Sequence, residues 1–169
     1  LFLNDFERFL SLKPRVPAPA SPRPVPETGP LVCRGLTFRY PGSERDNLKG
    51  VDFALEPGQV VALVGENGSG KTTLVKLLCR LYDPSAGSIQ INGLDLRALD
   101  PVAWRKIITV IFQDYLRYAL TAWENIWLGD PEAERDRERI ARAAELAGID
   151  RRIGLLPQSY ETMLGVRFQ

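Results

Sequence analysis

The sequence contains no histidine, so the commonest general base and metal ligand is missing from all 169 residues. It has two cysteines, Cys33 and Cys79, far apart and outside any CxxC or Cys/His cluster. That pattern excludes a zinc knuckle or a disulfide framework and leaves a pair of reduced, partly buried thiols. No apolar run approaches the roughly 18 residues that a membrane-spanning helix needs, and the N-terminus lacks the basic-then-apolar pattern of a signal peptide. Charge of one sign is also lacking. Twenty-two basic and 21 acidic residues leave a net charge of +1, a balance that points to neither a nucleic-acid stripe nor a polybasic membrane patch while leaving room for local clusters. These absences describe a cytosolic chain of one domain plus some flanking sequence, with room for attachment to something that is not cytosolic.

What is present is organised in blocks. LFLNDFERFLSL (1–12) places Phe2, Phe6, Phe9 and Leu10 at helical spacing among charged residues. KPRVPAPASPRPVPETGP (13–30) holds most of the prolines and reads as an extended, semi-stiff linker, with a domain boundary near residue 30. LVCRGLTFRY (31–40), VDFALE (51–56) and SIQING (88–93) read as strands closed by Pro41-Gly42, Pro57-Gly58 and Asn92-Gly93. QVVALVG (59–65) is a continuous apolar run of the kind buried on both faces of a sheet, and IITVIF (107–112) is a second. Leu74, Leu77, Leu78 and Leu81 share one face of a helix that ends before Asp83-Pro84. Asp100-Pro101 opens a short helix, and Asp130-Pro131 reads as the start of another that runs to Ala147 and stops at Gly148.

The strongest chemical signal is Gly65-Glu66-Asn67-Gly68-Ser69-Gly70-Lys71-Thr72, which satisfies GxxxxGK[ST] at every fixed position. A polyphosphate needs many donors around it, and backbone without Cβ curls tightly enough to aim successive N–H groups inward. The helix that starts at Lys71 then directs its positive dipole end at the phosphates. Lys71 is suited to the β- and γ-phosphates and the Thr72 hydroxyl to Mg²⁺. The bland alternative is a glycine-rich turn between a strand and a helix. The match falls after an apolar run and before an apolar-faced helix, which is the context the motif requires.

These blocks together resemble the nucleotide-binding domains of ATP-binding cassette exporters, over essentially the whole chain. DPSAGSIQINGLDLR (83–97), VIFQD (110–114), TAWENI (121–126) and LLPQSYETMLG (155–165) each resemble a family segment in the family's order. The resemblance implies an α/β P-loop NTPase fold of the ABC ATPase type, with an N-terminal antiparallel β subdomain and a core cut short on its C-terminal side. It implies ATP and Mg²⁺ as ligands, bound by Tyr40, Gly65, Asn67, Gly68, Ser69, Gly70, Lys71, Thr72 and Thr73. Tyr40 would stack on adenine; taken alone it reads rather as a tyrosine capping the first strand. Gln113 would be the Q-loop glutamine that reaches Mg²⁺ or the attacking water, with Lys71 beside it in the catalytic set and Thr72 as the other metal ligand.

The resemblance also implies a layout and partners. Residues 1–12 would end the last transmembrane helix of a fused membrane domain, 13–30 would be the linker, and 31–169 the N-terminal part of the nucleotide-binding domain. The other reading of 1–12 is a helix packed on the domain's own surface. Partners would be a second nucleotide-binding domain and the coupling helices of the membrane domain, at the cytoplasmic face of a membrane and with no nucleic acid. Tyr115, Arg117 and Tyr118 depart from the commonest exporter wording in the stretch that would face the coupling helices.

The family's LSGGQ loop, its Walker B strand ending in Asp-Glu and its switch histidine do not occur in the sequence. Asp114 is no substitute, because it falls one residue late and on the opposite strand face. The expectation is therefore a chain that binds ATP without hydrolysing it alone, in an ATPase that powers export. A soluble P-loop ATPase and a non-catalytic nucleotide-binding module are the alternatives. A GTPase is disfavoured, since no Asn-Lys-x-Asp guanine motif occurs.

Overall fold

The computed structural model describes residues 2–112 and 118–165. The chain divides into two compact units, Leu1–Val110 and Ile111–Gln169. In the first, β1 (Leu31–Phe38), β2 (Leu48–Leu55), β3 (Ala86–Ile91) and β4 (Leu94–Asp95) form one antiparallel sheet in the order β2-β1-β3-β4. Asn92 and Gly93, with φ of 48° and 78°, make the tight turn between β3 and β4, as an Asn-Gly pair does in a hairpin. Both ladders of β1 shift register between Cys33 and Phe38: the one with β3 between Arg34 and Thr37, the one with β2 between Cys33 and Leu36 and again between Leu36 and Phe38. The bulge breaks strict alternation, so Cys33, Leu36 and Phe38 all turn inward. Gly87 sits against this bulge, where a Cβ would collide with the carbonyl oxygens of Arg34 and Gly35.

The inward residues of the sheet form one core with Leu74 and Leu77 of α2 (Lys71–Leu78) and with Leu96, Leu99 and Trp104. Trp104 lies on α3 (Pro101–Lys106) and its indole N–H donates to the Leu78 carbonyl at 2.8 Å. Asp100 caps α3 by accepting from the N–H groups of Val102 and Ala103 at 2.7 and 2.8 Å, with Pro101 as first helical residue, as its sequence predicts. Arg80 follows α2 and is buried. Its guanidinium donates to the Leu99 and Arg97 carbonyls and pairs with Asp83 at 3.2 Å, which satisfies the buried charge. Cys33 and Cys79 are free and buried, as expected.

α1 (Phe2–Leu10) forms where the spacing places it, and Phe6, Phe9 and Leu10 are exposed rather than packed on the sheet. The proline-rich stretch after it is fastened to the first unit at several points. Val16 is only 8% exposed, the Arg23 N–H donates to the Ala98 carbonyl at 2.8 Å, and the Asn92 N–H donates to the Pro30 carbonyl at 2.9 Å.

Three sequence expectations need correction. Residues 59–65 and 107–112, read as buried strands, take no part in any strand. Val60 is 100% exposed, Val64 92% and Ile111 91%. A strand buried on both faces exists only with neighbours to pair and cover it, and no ladder reaches these segments among the described residues. The helix read from Asp130 to Ala147 starts later, as α5 (Arg137–Leu146). Asp136 is its cap, accepting from the Glu138 N–H at 2.9 Å, while Asp130 pairs with Arg139 at 2.6 Å.

In the second unit α5 packs with α4 (Ala122–Trp127) and α6 (Asp150–Gly154) around Ala122, Ala144 and Ile153. Thr121 and Glu124 form a reciprocal capping box at the start of α4. Among the described residues no helix is long and apolar enough to cross a membrane.

Candidate functional site

The loop Gly65–Thr72 closes onto α2 through backbone shapes that only glycine takes without strain. Gly68 and Gly70 have φ of 85° and 95°. At Gly70 there is no room either, since a Cβ would lie 2.6 Å from Leu48 Cδ2 and 2.8 Å from the Asn47 carbonyl oxygen. The Ser69 N–H turns back to the Glu66 carbonyl at 3.2 Å, and the Leu74 N–H takes the Gly70 carbonyl at 2.8 Å as the first helical bond. Gly70 is the N-cap and offers no side-chain cap. The first-turn amides of α2 are thus left to an outside acceptor, which the helix dipole favours as an anion.

Lys71 holds its charge inside this loop. Its Nζ donates to the carbonyls of Gly65 and Glu66 at 2.7 and 2.8 Å and lies 3.3 Å from Ser69 Oγ. An ammonium has three donors and no acceptor, so these three oxygens account for its hydrogen-bonding capacity. Thr72 is exposed in the first turn, its hydroxyl open to a ligand, and Thr73 is buried.

Tyr40, 25 positions before Gly65, comes to the same helix. Its hydroxyl lies 3.3 Å from Thr73 Oγ1, and Lys76 Nζ stands 5.6 Å from its ring centroid. The Tyr40 N–H donates to Asn47 Oδ1 at 3.4 Å, on the loop whose carbonyl abuts Gly70. The ring is half-buried and meets Phe38 at 4.9 Å and 83°, and Tyr82 at 5.3 Å and 88°. Both contacts are edge-to-face, the favoured arrangement for aromatic quadrupoles.

The structure therefore brings Tyr40 to Thr73 in the first turn of α2, and draws Gly65, Glu66 and Ser69 together around Lys71 in the loop that precedes it. Asn67 is exposed in the loop. Gln113 lies outside the described residues, as do Asp114, Tyr115 and Arg117, while Tyr118 is described and exposed. Sequence reasoning missed Phe38, Lys76 and Tyr82 around Tyr40. The signal for Tyr82 was its place just beyond α2, ahead of Asp83-Pro84. The thiols take no part: burial and then Asp52 push Cys33 up to about 12, and burial raises Cys79 against the pull of Arg105.

A family model described as ABC transporter matches residues 48–163, from the start of β2 past the last turn. The chain belongs to the ABC transporter family. Its fold is that of an ABC ATPase, a P-loop NTPase with an antiparallel sheet. It is 36% identical over 163 residues to a probable multidrug resistance ABC transporter ATP-binding/permease protein, YheI, of Bacillus subtilis, covering 96% of this chain and 28% of that protein. It is 39% identical over 138 residues to an ATP-dependent lipid A-core flippase of Aromatoleum aromaticum, covering 82% and 23%. Among solved structures, a bacterial Atm1-family ABC exporter with ATP bound superposes with a TM-score of 0.86 at 31% identity, over 98% of this chain and 28% of that one. The chain thus spans about a quarter of the length of these relatives.

Proposed function

We propose that the chain binds ATP with Mg²⁺ as the nucleotide-binding part of an ABC exporter. The observation that carries this reading is the Lys71 ammonium held on the carbonyls of Gly65 and Glu66, inside a loop that leads into an uncapped α2. A triphosphate offers anionic oxygens in place of neutral carbonyls, so the ammonium gains a charge–charge attraction when it exchanges one for the other. The glycines at 65, 68 and 70, with Asn67 and Ser69, shape the cradle, while Lys71, Thr72 and Thr73 supply the first turn of the helix. Thr72 and Gln113 would hold Mg²⁺ through neutral oxygens, alongside phosphate oxygens and water, in keeping with an ion that keeps much of its hydration. Tyr40 would stack on adenine, the face-on contact that aromatics offer any base.

In this reading hydrolysis and export belong to a larger assembly, with a second nucleotide-binding domain and a fused membrane domain at the cytoplasmic face. The relatives named as ATP-binding/permease protein and as exporter support that layout, and so does the uncovered apolar face of α1. Residues 1–12 would join it to the membrane domain and 13–30 would link it to the nucleotide-binding part. Phosphoryl transfer to water rests on positioning and charge neutralisation. The 169 residues supply the cradle and hold no Asp-Glu strand end, so this chain by itself is expected to bind ATP and turn over none above background.

The test is calorimetric titration of wild type and Lys71→Ala with ATP, ATP-Mg and adenosine, with phosphate release followed in parallel. Lys71→Ala should lose affinity for ATP and keep what affinity adenosine has. Equal losses for both ligands would refute a phosphate role for Lys71. Mg²⁺-dependent turnover by the chain, abolished in the variant, would refute its inactivity.

A further inference from the structure

The proline-rich stretch reaches the base side of the site through one aromatic cluster. The Arg15 guanidinium lies 5.7 Å from the centroid of the Tyr82 ring, and its Nη1 donates to the Tyr82 hydroxyl at 3.3 Å. Tyr82 stands edge-on to Tyr40 at 5.3 Å and tilted against Phe38 at 5.4 Å. Tyr40 in turn meets Thr73 and Lys76 on the first turns of α2. Next to Arg15, Val16 is buried, and further on the Arg23 N–H is bonded to the Ala98 carbonyl. The stretch is thus fastened at both ends of its docked part, and one fastening is the neighbour of the proposed base-stacking ring.

We propose that Arg15 and Tyr82 are positioning residues for base recognition. Seating of the 15–25 segment on Tyr82 holds the Tyr40 ring at the angle at which a base stacks on it. This rests on the stacking role proposed for Tyr40. A half-buried tyrosine walled by two rings at right angles has few other ways to turn, and Tyr82 is the wall that the segment controls. A cation near a ring and a hydrogen bond to the same ring's hydroxyl fix both the position and the tilt of that wall. Linkage makes the effect reciprocal: a nucleotide that is bound more tightly when the segment is seated also holds the segment in its seat.

The experiment titrates the full chain and its Arg15→Ala, Tyr40→Ala and double variants with ATP and, separately, with inorganic tripolyphosphate, which has no base. Arg15→Ala should weaken ATP roughly two- to fivefold, the range of an exposed cation–ring contact, and leave tripolyphosphate unchanged. Adding Arg15→Ala to Tyr40→Ala should cost nothing further, because the two act through one ring. Unchanged ATP affinity in Arg15→Ala, beside a clear loss in Tyr40→Ala, would overturn the proposal and leave the stacking role standing. So would additive losses in the double variant, or an equal loss for tripolyphosphate. No loss in Tyr40→Ala would remove the stacking role itself.

Discussion

At the scale of single residues, the loop shows how a sequence motif is enforced by space as well as by conformation. Gly68 and Gly70 both have positive φ, but open space surrounds Gly68, whereas Leu48 Cδ2 and the Asn47 carbonyl abut Gly70. Alanine at 68 meets only the backbone penalty, on the order of 1 kcal/mol. Alanine at 70 meets the same penalty and must also push back a carbonyl and a core leucine. Gly70→Ala is therefore expected to lower the denaturant midpoint by clearly more than Gly68→Ala, with urea unfolding followed by circular dichroism as the measurement. Equal midpoints would mean that the loop parts from β2 without cost. The same close approach explains why glycine at 70 belongs to the fold as much as to the ligand.

At the scale of elements, local chemistry is read well and neighbour-dependent structure is not. Asp100-Pro101 and Asn92-Gly93 form the cap and the turn they predict, because each works through its own backbone. The apolar runs at 59–65 and 107–112 are legible as strand-forming, yet a strand is completed by partners that its own residues do not supply. Asp130-Pro131 has the composition of a helix start, but Asp136 caps the helix and Asp130 is taken by Arg139. For the site, the loop was legible from its own motif and Tyr40 was singled out only through the family resemblance, whereas the Tyr82 wall depends on a tertiary contact. Thr121 was visible only as part of a resemblance, and its box is complete: its hydroxyl accepts from the Glu124 N–H at 3.3 Å, and Glu124 Oε2 accepts from the Thr121 N–H at 2.9 Å. Thr121→Ala should cost ~1 kcal/mol, as a lost N-cap does, read as a lower urea midpoint. The Thr121 N–H, and after it the Thr121 hydroxyl, hold the Glu124 carboxyl below its usual range. A depressed carboxyl stabilises above its unfolded pKa and loses that stabilisation as pH falls through its folded value. The deficit of Thr121→Ala relative to wild type should therefore shrink in acid; a deficit constant from neutral pH into strong acid would detach the cap from the glutamate's charge.

At the scale of the whole molecule, two facts act together. The first is a surface with exposed apolar segments, of which Val60 and Val64 are the most open at 100% and 92%. The second is a net charge of +1 with no histidine, so that little long-range repulsion keeps copies apart near neutrality. Open apolar backbone that pairs in no ladder among the described residues is a surface on which chains add to one another. The chain is expected to self-associate with rising concentration, and multi-angle light scattering behind a sizing column measures it. The cause can be separated from the symptom by pH and by substitution. Without histidine no side chain has an ordinary pKa between about 5.5 and 7.5, so moving from pH 7.5 to 6 should leave association nearly unchanged. Val60→Lys with Val64→Lys adds two charges on the open segment and removes its apolar surface, and should return the chain towards a monomer. Association that persists in this double variant would place the sticky surface elsewhere, with the uncovered Phe6 and Phe9 of α1 as the next residues to replace.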